Sequence, residues 1–143
     1  MISGSRPAVE RAVAIAAERG VKRSVMLPVS APFHCALMQP AADVMAEALA
    51  DAALANPAVP LVANVTARAV SDAKTIRGLL VEQVTGMVRW REGVLFMKEQ
   101  GVDKIAELGV GKVLAGLVKR IDREITPVSA GEPAEIEALL KVL

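Results

Sequence analysis

The one His and the one Cys of the chain stand side by side, in the stretch Leu27-Pro28-Val29-Ser30-Ala31-Pro32-Phe33-His34-Cys35-Ala36-Leu37-Met38. Imidazole is the side chain that ordinarily exchanges a proton near neutrality, so a displayed His is a candidate general base. The stretch begins as an apolar run of strand type, passes through Pro28 and Pro32, and then opens an Ala-rich helical pattern. Each Pro fixes its own φ and pushes the residue before it toward extended geometry. The chain therefore reaches His34 in a constrained, non-helical form at a strand-to-helix junction. Spacing alone leaves two readings open: a base presented to a substrate, or a buried imidazole beside Phe33 and Cys35 with both nitrogens satisfied.

Two other clusters invite a chemical reading and support it less. Asp43, Glu47 and Asp51 recur every four residues. That is the spacing of a metal or acid–base cluster, and equally of a solvated helix face, which is the simpler account. Gly109-Val110-Gly111-Lys112 sits between a strand pattern and a helix pattern, where helix N-termini attract anions. A Walker loop needs Ser or Thr after the Lys, and Val113 follows; a dinucleotide loop needs a third Gly where Leu114 stands. Glycines that permit close strand–helix packing explain this loop better. No Gly-x-Ser-x-Gly elbow occurs, so the sequence offers a base without an evident nucleophile.

The elements that must position these residues follow from composition and periodicity. A length of 143 residues suits one domain or a piece of a larger one. Hydrophobic residues make up 53% and aromatics only 2%, with no Tyr, so the core is built from Ala, Val, Leu, Ile and Met. A net charge of +1 with mixed signs, and no aromatics for base stacking, argue against nucleic acid as a partner. One Cys excludes an intrachain disulfide, and one His with one Cys argues against a metal site. Neither a signal-peptide pattern nor an uncharged run of 18 apolar residues is visible, which points to a soluble, cytoplasmic protein with no membrane contact.

Met1 to Gly4 reads as the end of a strand, Ser5 or Arg6 starts a helix with Pro7 in its first turn, and Gly20 stops it. Val9, Val13 and Ala16 share its apolar face, and Val21 to Val29 reads as the next strand. A helix follows from Gln39 or Pro40 to about Ala55, with Met38, Ala42, Met45, Leu49 and Ala52 on one face. Pro60 to Val65 reads as a buried strand. Ser71 or Asp72 caps a helix that ends at Gly86, Trp90 to Gln100 is another, and Asp103 to Leu108 is a strand. Gly111 to about Glu124 reads as a helix, Thr126 to Ser129 as a strand, and Glu132 to Leu143 as a last helix. Alternation of strands and helices makes the class α/β with parallel pairings.

Pro28 through Met38, followed by Pro40-Ala41-Ala42, closely resembles the active-site His segment of malonyl-CoA:acyl carrier protein transacylases. Asn64-Val65-Thr66, Val88-Arg89-Trp90 and Glu107-Leu108-Gly109-Val110-Gly111-Lys112-Val113-Leu114 match further segments in the family's order, with Leu117 and Lys119-Arg120 beyond. Ile2-Ser3-Gly4 with Ala8-Val9-Glu10-Arg11-Ala12 resembles the family's small subdomain. Val110 departs from the pattern, which usually has Pro there. The nucleophilic Ser, the oxyanion loop and the Arg that holds the malonyl carboxylate precede these segments in the family and are absent from this chain.

The resemblance thus implies the C-terminal part of an α/β-hydrolase-like acyltransferase domain plus part of a ferredoxin-like small subdomain. Residues 1–30 would be the remnant of the small subdomain, and residues 31–143 part of the acyltransferase domain. It implies a malonyltransferase of fatty-acid synthesis that carries malonyl from CoA to the phosphopantetheine thiol of acyl carrier protein through a Ser acyl-enzyme, without cofactor or metal. His34 would be the base, and the backbone carbonyl of Gln83, near a helix end, would orient it. Phe33 and Asn64 would line the substrate pocket, and Cys35 would be a small packed residue. The partners implied are malonyl-CoA, acyl carrier protein, and either the missing N-terminal half or further copies of the chain. The fragment alone should be inactive. Two alternatives are a non-catalytic module that docks acyl carrier protein through Lys112, Lys119 and Arg120, and a nucleotide-binding domain that uses the Gly109–Lys112 loop.

Overall fold

A computed structural model describes residues 1–141. The element order is α1 (Arg6–Glu18), a 3-10 turn (Ala36–Met38), α2 (Gln39–Ala50), β1 (Leu61–Ala63), β2 (Arg68–Val70), α3 (Ala73–Thr85), α4 (Trp90–Glu99), β3 (Lys104–Leu108), α5 (Val113–Ile121), β4 (Thr126–Ala130) and α6 (Pro133–Leu140). The class is α/β. Two compact units divide the chain: Met1–Val65 with Ala69–Val88, and Thr66–Arg68 with Arg89–Leu143.

In the first unit, α1 starts with Pro7 in its first turn and stops where Gly20 takes a φ of 85°. The Gly20 and Val21 N–H groups then close back on Ala17 and Ala16, which satisfies carbonyls the helix would leave unpaired. Val9, Val13 and Ala16 are partly buried, as their shared face requires.

Residues 1–4 and 21–29 are not strands, contrary to the sequence reading. Every residue from 21 to 29 is exposed. The apolar run Val25-Met26-Leu27 has strand composition, but a strand exists only against a neighbour that takes its N–H and C=O groups. No described residue pairs with this run.

The helices α2 and α3 pack together. Ala42 and Ile76 are buried, one on each helix. Asp72 caps α3 by accepting from the Thr75 N–H at 2.7 Å, as its sequence position predicts. Asn56 adds a second acceptor for the Ala73 N–H at 2.8 Å. The far end of α2 is closed from α3: Arg77 donates to the carbonyls of Leu49, of Ala50 at 2.7 Å and of Ala52 at 2.9 Å. Leu49 and Ala50 are among the last carbonyls of α2, which have no partner within the helix. β1 lies within the strand expected over Pro60 to Val65 and pairs with β2, a strand with no signal in the sequence.

The second unit is a β3–α5–β4 crossover. β3 and β4 pair in parallel, with Lys104 opposite Thr126 and Leu108 opposite Ala130. Parallel neighbours need a crossover of this kind, and α5 supplies it. Val94, Val118 and Ile125 form the core, with Trp90, Met97, Ile105 and Ile121 packed around them. These residues come from α4, β3 and α5 and from the turn before β4, so one small cluster ties the unit together. Lys98 on α4 pairs with Asp122 at 2.5 Å and Glu124 at 2.6 Å, just beyond the end of α5. α6 covers residues 133–140; the last two residues of the predicted helix, 142 and 143, lie outside the described residues.

Candidate active-site histidine

His34 is exposed, which removes the reading of a buried, fully satisfied imidazole. Its backbone stands at a φ of 59°, in the left-handed region. That region costs a non-Gly residue on the order of 1–3 kcal/mol, although His enters it more readily than most side chains. The residues around it hold the turn. The Cys35 thiol donates to the Pro32 carbonyl at 3.1 Å, and the Phe33 N–H reaches the Ala31 carbonyl at 2.9 Å. Cys35 then caps the 3-10 turn that leads into α2, with its carbonyl accepting from Met38 at 2.9 Å. Cys35 is thus a half-buried structural residue.

The side chain of His34 meets the carbonyl oxygen of Gln83 through Nδ1 at 2.9 Å. Gln83 lies in the last turn of α3, which ends at Thr85. Its carbonyl is one of those that a helix end leaves without a partner, while the Glu82 carbonyl beside it is taken by the Gly86 N–H at 2.9 Å. A carbonyl only accepts, so Nδ1 carries the proton in this contact. The neutral ring then presents the lone pair of Nε2 outward, which is the form a general base requires. One such bond contributes about 0.5–1.5 kcal/mol net. That is comparable to the strain at His34 and does not exceed it, so the local turn bonds must share in holding the geometry.

Phe33 is 44% exposed, so its ring is partly open to solvent. Asn64 is half-buried in the turn after β1, and no hydrogen bond links it to His34 among the described residues. The structure therefore joins His34 directly to Gln83, places Phe33 beside it in the chain, and shows no hydrogen bond from Asn64 to either among the described residues. No hydroxyl or thiol of the described residues bonds to the His34 ring.

The acidic run is a solvated face. Asp43, Glu47 and Asp51 are all exposed, and Asp43 accepts from Gln39 at 2.8 Å. No group of three or more His, Cys, Asp or Glu among the described residues is placed to hold a metal. No described helix is long and apolar enough to cross a membrane.

The Gly109–Lys112 loop needs its glycines for another reason than packing. Gly109 and Gly111 stand at φ values of 130° and 106°, and a Cβ on either would meet nothing within 4 Å. Backbone conformation, not close strand–helix approach, requires them. The close approach is at Gly131, where a Cβ would come within 2.8 Å of the Gly109 carbonyl. The α5 N-terminus already holds an anion of this chain. Glu107 accepts from the Leu114 N–H at 3.2 Å and from the Ala115 N–H at 2.9 Å. A carboxylate in that seat replaces the phosphate that a nucleotide loop would bind there. Neither this role of Glu107 nor the Arg77 contacts had a signal in the sequence, since a single Glu or Arg in a helical or strand pattern reads as an ordinary surface charge. Lys112, Lys119 and Arg120 are exposed, the first capping α5 and the other two in its last turn.

No family model matches the chain. Among curated proteins, it is 46% identical over 140 residues to the malonyl CoA-acyl carrier protein transacylase of Salmonella typhimurium, covering 98% of this chain and 45% of that protein. Among solved structures, the acyl-carrier-protein-S-malonyltransferase of Bartonella henselae is 51% identical with a TM-score of 0.90, over 97% of this chain and 44% of that one. A malonyl-transacylase solved in complex with its type II PKS acyl-carrier protein is 41% identical with a TM-score of 0.89, over 98% of this chain and 45% of that one. The chain spans about half the length of the curated relatives it matches. Over nearly its whole length, then, the chain is homologous to about half of a malonyl CoA-acyl carrier protein transacylase.

Proposed function

We propose that this chain is the His-bearing part of a malonyl-CoA:acyl carrier protein transacylase of fatty-acid synthesis, acting in the cytoplasm without cofactor or metal. The observation that supports this most is the His34 Nδ1 contact to the Gln83 carbonyl, which leaves Nε2 free to take a proton. In this reading a Ser from the remaining part of the enzyme gives its proton to His34 Nε2 and attacks the malonyl thioester. CoA leaves as the thiol, taking that proton. The phosphopantetheine thiol of acyl carrier protein then gives its proton to Nε2 and attacks the Ser ester, and the Ser oxygen leaves reprotonated. This is covalent catalysis in two half-reactions, with His34 as base and then acid in each. Phe33 and Asn64 line the acyl pocket, and the Gln83 carbonyl orients the base. Residues 1–30 belong to a small ferredoxin-like subdomain and residues 31–143 to the acyltransferase domain.

The partners in this reading are malonyl-CoA, acyl carrier protein and the complementary part of the enzyme. Leu108, Val110 and Val113 are exposed beside the open β3–β4 pair. Apolar surface and unpaired strand edges of this kind favour a covering polypeptide, which is the complementary part or, in its absence, another copy. The experiment is reconstitution. The chain is co-expressed with the portion of the Salmonella typhimurium relative that it does not match, and malonyl transfer to holo acyl carrier protein is measured. Transfer that depends on both parts and collapses with His34→Ala is the expected result. An acid-stable malonyl ester on a Ser of the chain alone would overturn the reading, as would a reconstituted complex indifferent to His34→Ala. Binding of acyl carrier protein with no transfer would favour the docking module instead.

A further inference from the structure

We propose that Arg77 is a positioning residue for His34, acting from the opposite end of the α2–α3 pair; this rests on the reading of His34 as the base. The two helices are tied at both ends. At one end, the turn that leads into α2 carries His34, and its ring reaches the last turn of α3 at Gln83. At the other, Arg77 near the start of α3 reaches the last carbonyls of α2 and its exit, at Leu49, Ala50 and Ala52. Only a three-residue 3-10 turn separates Cys35 from α2, so the His34 backbone moves with that helix. The Gln83 carbonyl moves with α3. A slide or roll of one helix against the other therefore changes the Nδ1···O separation directly.

Two further features bear on such a slide. Of the residues on the two helices, Ala42 and Ile76 are buried, each near the start of its own helix, and the rest of the seam is half-buried or exposed. The His34–Gln83 bond itself is exposed and open to competition from water. Arg77 is half-buried, and its planar guanidinium offers several donors in a fixed fork. Contacts to three carbonyls fix position and angle together, which a single ammonium cannot do. The carbonyls also belong to a helix C-terminus, where a cation is favoured. Arg77 therefore sets the register in which the Gln83 carbonyl meets the imidazole.

The sole His gives the test a single reporter. The chain is labelled with 15N at histidine, and the ring nitrogen shifts are read at a pH where the ring is neutral. The wild-type chain should show the Nδ1–H tautomer. Arg77→Gln should lose it, with both ring shifts moving toward the averaged values of a free imidazole. Asp72→Ala is the control: it removes the cap of α3 but leaves the contacts to α2 in place, and should keep the wild-type shifts. If Arg77→Gln does not fold by circular dichroism, Arg77→Lys takes its place, with a partial shift expected. Retention of the Nδ1–H tautomer in a folded Arg77 variant would overturn the proposal, and so would an equal shift in Asp72→Ala. The readout needs no turnover, so its failure and a failure of the transacylase reading are separately visible.

Discussion

The His34 imidazole donates from Nδ1 to the main-chain oxygen of Gln83 across 2.9 Å, between residues 49 apart in the chain. The acceptor belongs to the backbone, and this separates the two residues experimentally. In the reconstituted enzyme, His34→Ala should lower kcat by roughly 10²–10⁴-fold, the usual contribution of a positioned general base. Malonyl-CoA binding should change little, because the proton transfer is made in the transition state. Gln83→Ala keeps the carbonyl and should leave kcat within a few-fold of wild type (about that range by the same reasoning). Steady-state kinetics of the two variants decide the matter; equal damage would move the orienting role to the Gln83 side chain.

Phe33 governs the second expectation. Its ring is partly open and precedes His34 directly, so it should crowd the carbon that bears the extra methyl of a methylmalonyl group. One methyl in a pocket is worth about 1–3 kcal/mol, or roughly 10–200-fold in kcat/KM. Phe33→Ser in the reconstituted enzyme should narrow the preference for malonyl-CoA over methylmalonyl-CoA while malonyl transfer persists. The ratio of the two kcat/KM values checks this, and an unchanged ratio would assign Phe33 to packing alone.

Glu107 should behave as a helix cap. Glu107→Ala leaves the Leu114 and Ala115 N–H groups without their carboxylate and should destabilise the second unit by about 1 kcal/mol in urea unfolding. Glu107→Gln, which keeps one acceptor oxygen, should cost less. Titration calorimetry with ATP should give no heat of binding to the wild-type chain, because the seat is filled; saturable binding would restore the nucleotide reading.

Stability should fall at both ends of the pH range. The Lys98 ammonium holds the Asp122 carboxyl below its ordinary value, with the Glu124 N–H adding to the effect. Hydrogen bonds from Thr75 do the same for Asp72, and the Gly131 N–H does it for Glu135. A depressed carboxyl contributes stability above its unfolded value and loses it as pH falls through the folded value. Lys98 is shifted upward, chiefly by its bond to Asp122, so its contribution is present below the unfolded Lys value and is lost as pH rises through the folded one. Urea midpoints measured from acid to alkaline pH should show a plateau with two falling limbs. Asp122→Asn should flatten both limbs, and identical profiles for variant and wild type would remove this pair as a source of the dependence.

What could be read from the sequence was what local chemistry decides. Asp72 caps α3, Gly20 stops α1, and Val9, Val13 and Ala16 share a face, because each depends on neighbours within a few residues. The backbone acceptor at Gln83 was reached only through the family resemblance, since no local pattern links residues 34 and 83. The apolar segment at 21–29 failed as a strand because its composition is a preference that needs a partner to become structure. Gly109 and Gly111 were read by type, but only coordinates distinguish a φ requirement from a space requirement. Arg77 and Glu107 were invisible for the same reason: their acceptors and donors are backbone groups, and a backbone group has no letter.

Trp90 packs against the Val94–Val118–Ile125 cluster, with its indole Nε1 buried and without a hydrogen-bond partner among the described residues. The chain has no Tyr and no second Trp, so its near-ultraviolet emission comes from this one ring. An indole in a dry, unbonded setting emits toward the blue and moves to the red when water reaches it. Fluorescence therefore reports only on the unit that contains α4 and α5, while the His34 ring resonance reports only on the unit that contains α2 and α3. Melting of each unit can be followed in one sample by two signals that share no atoms.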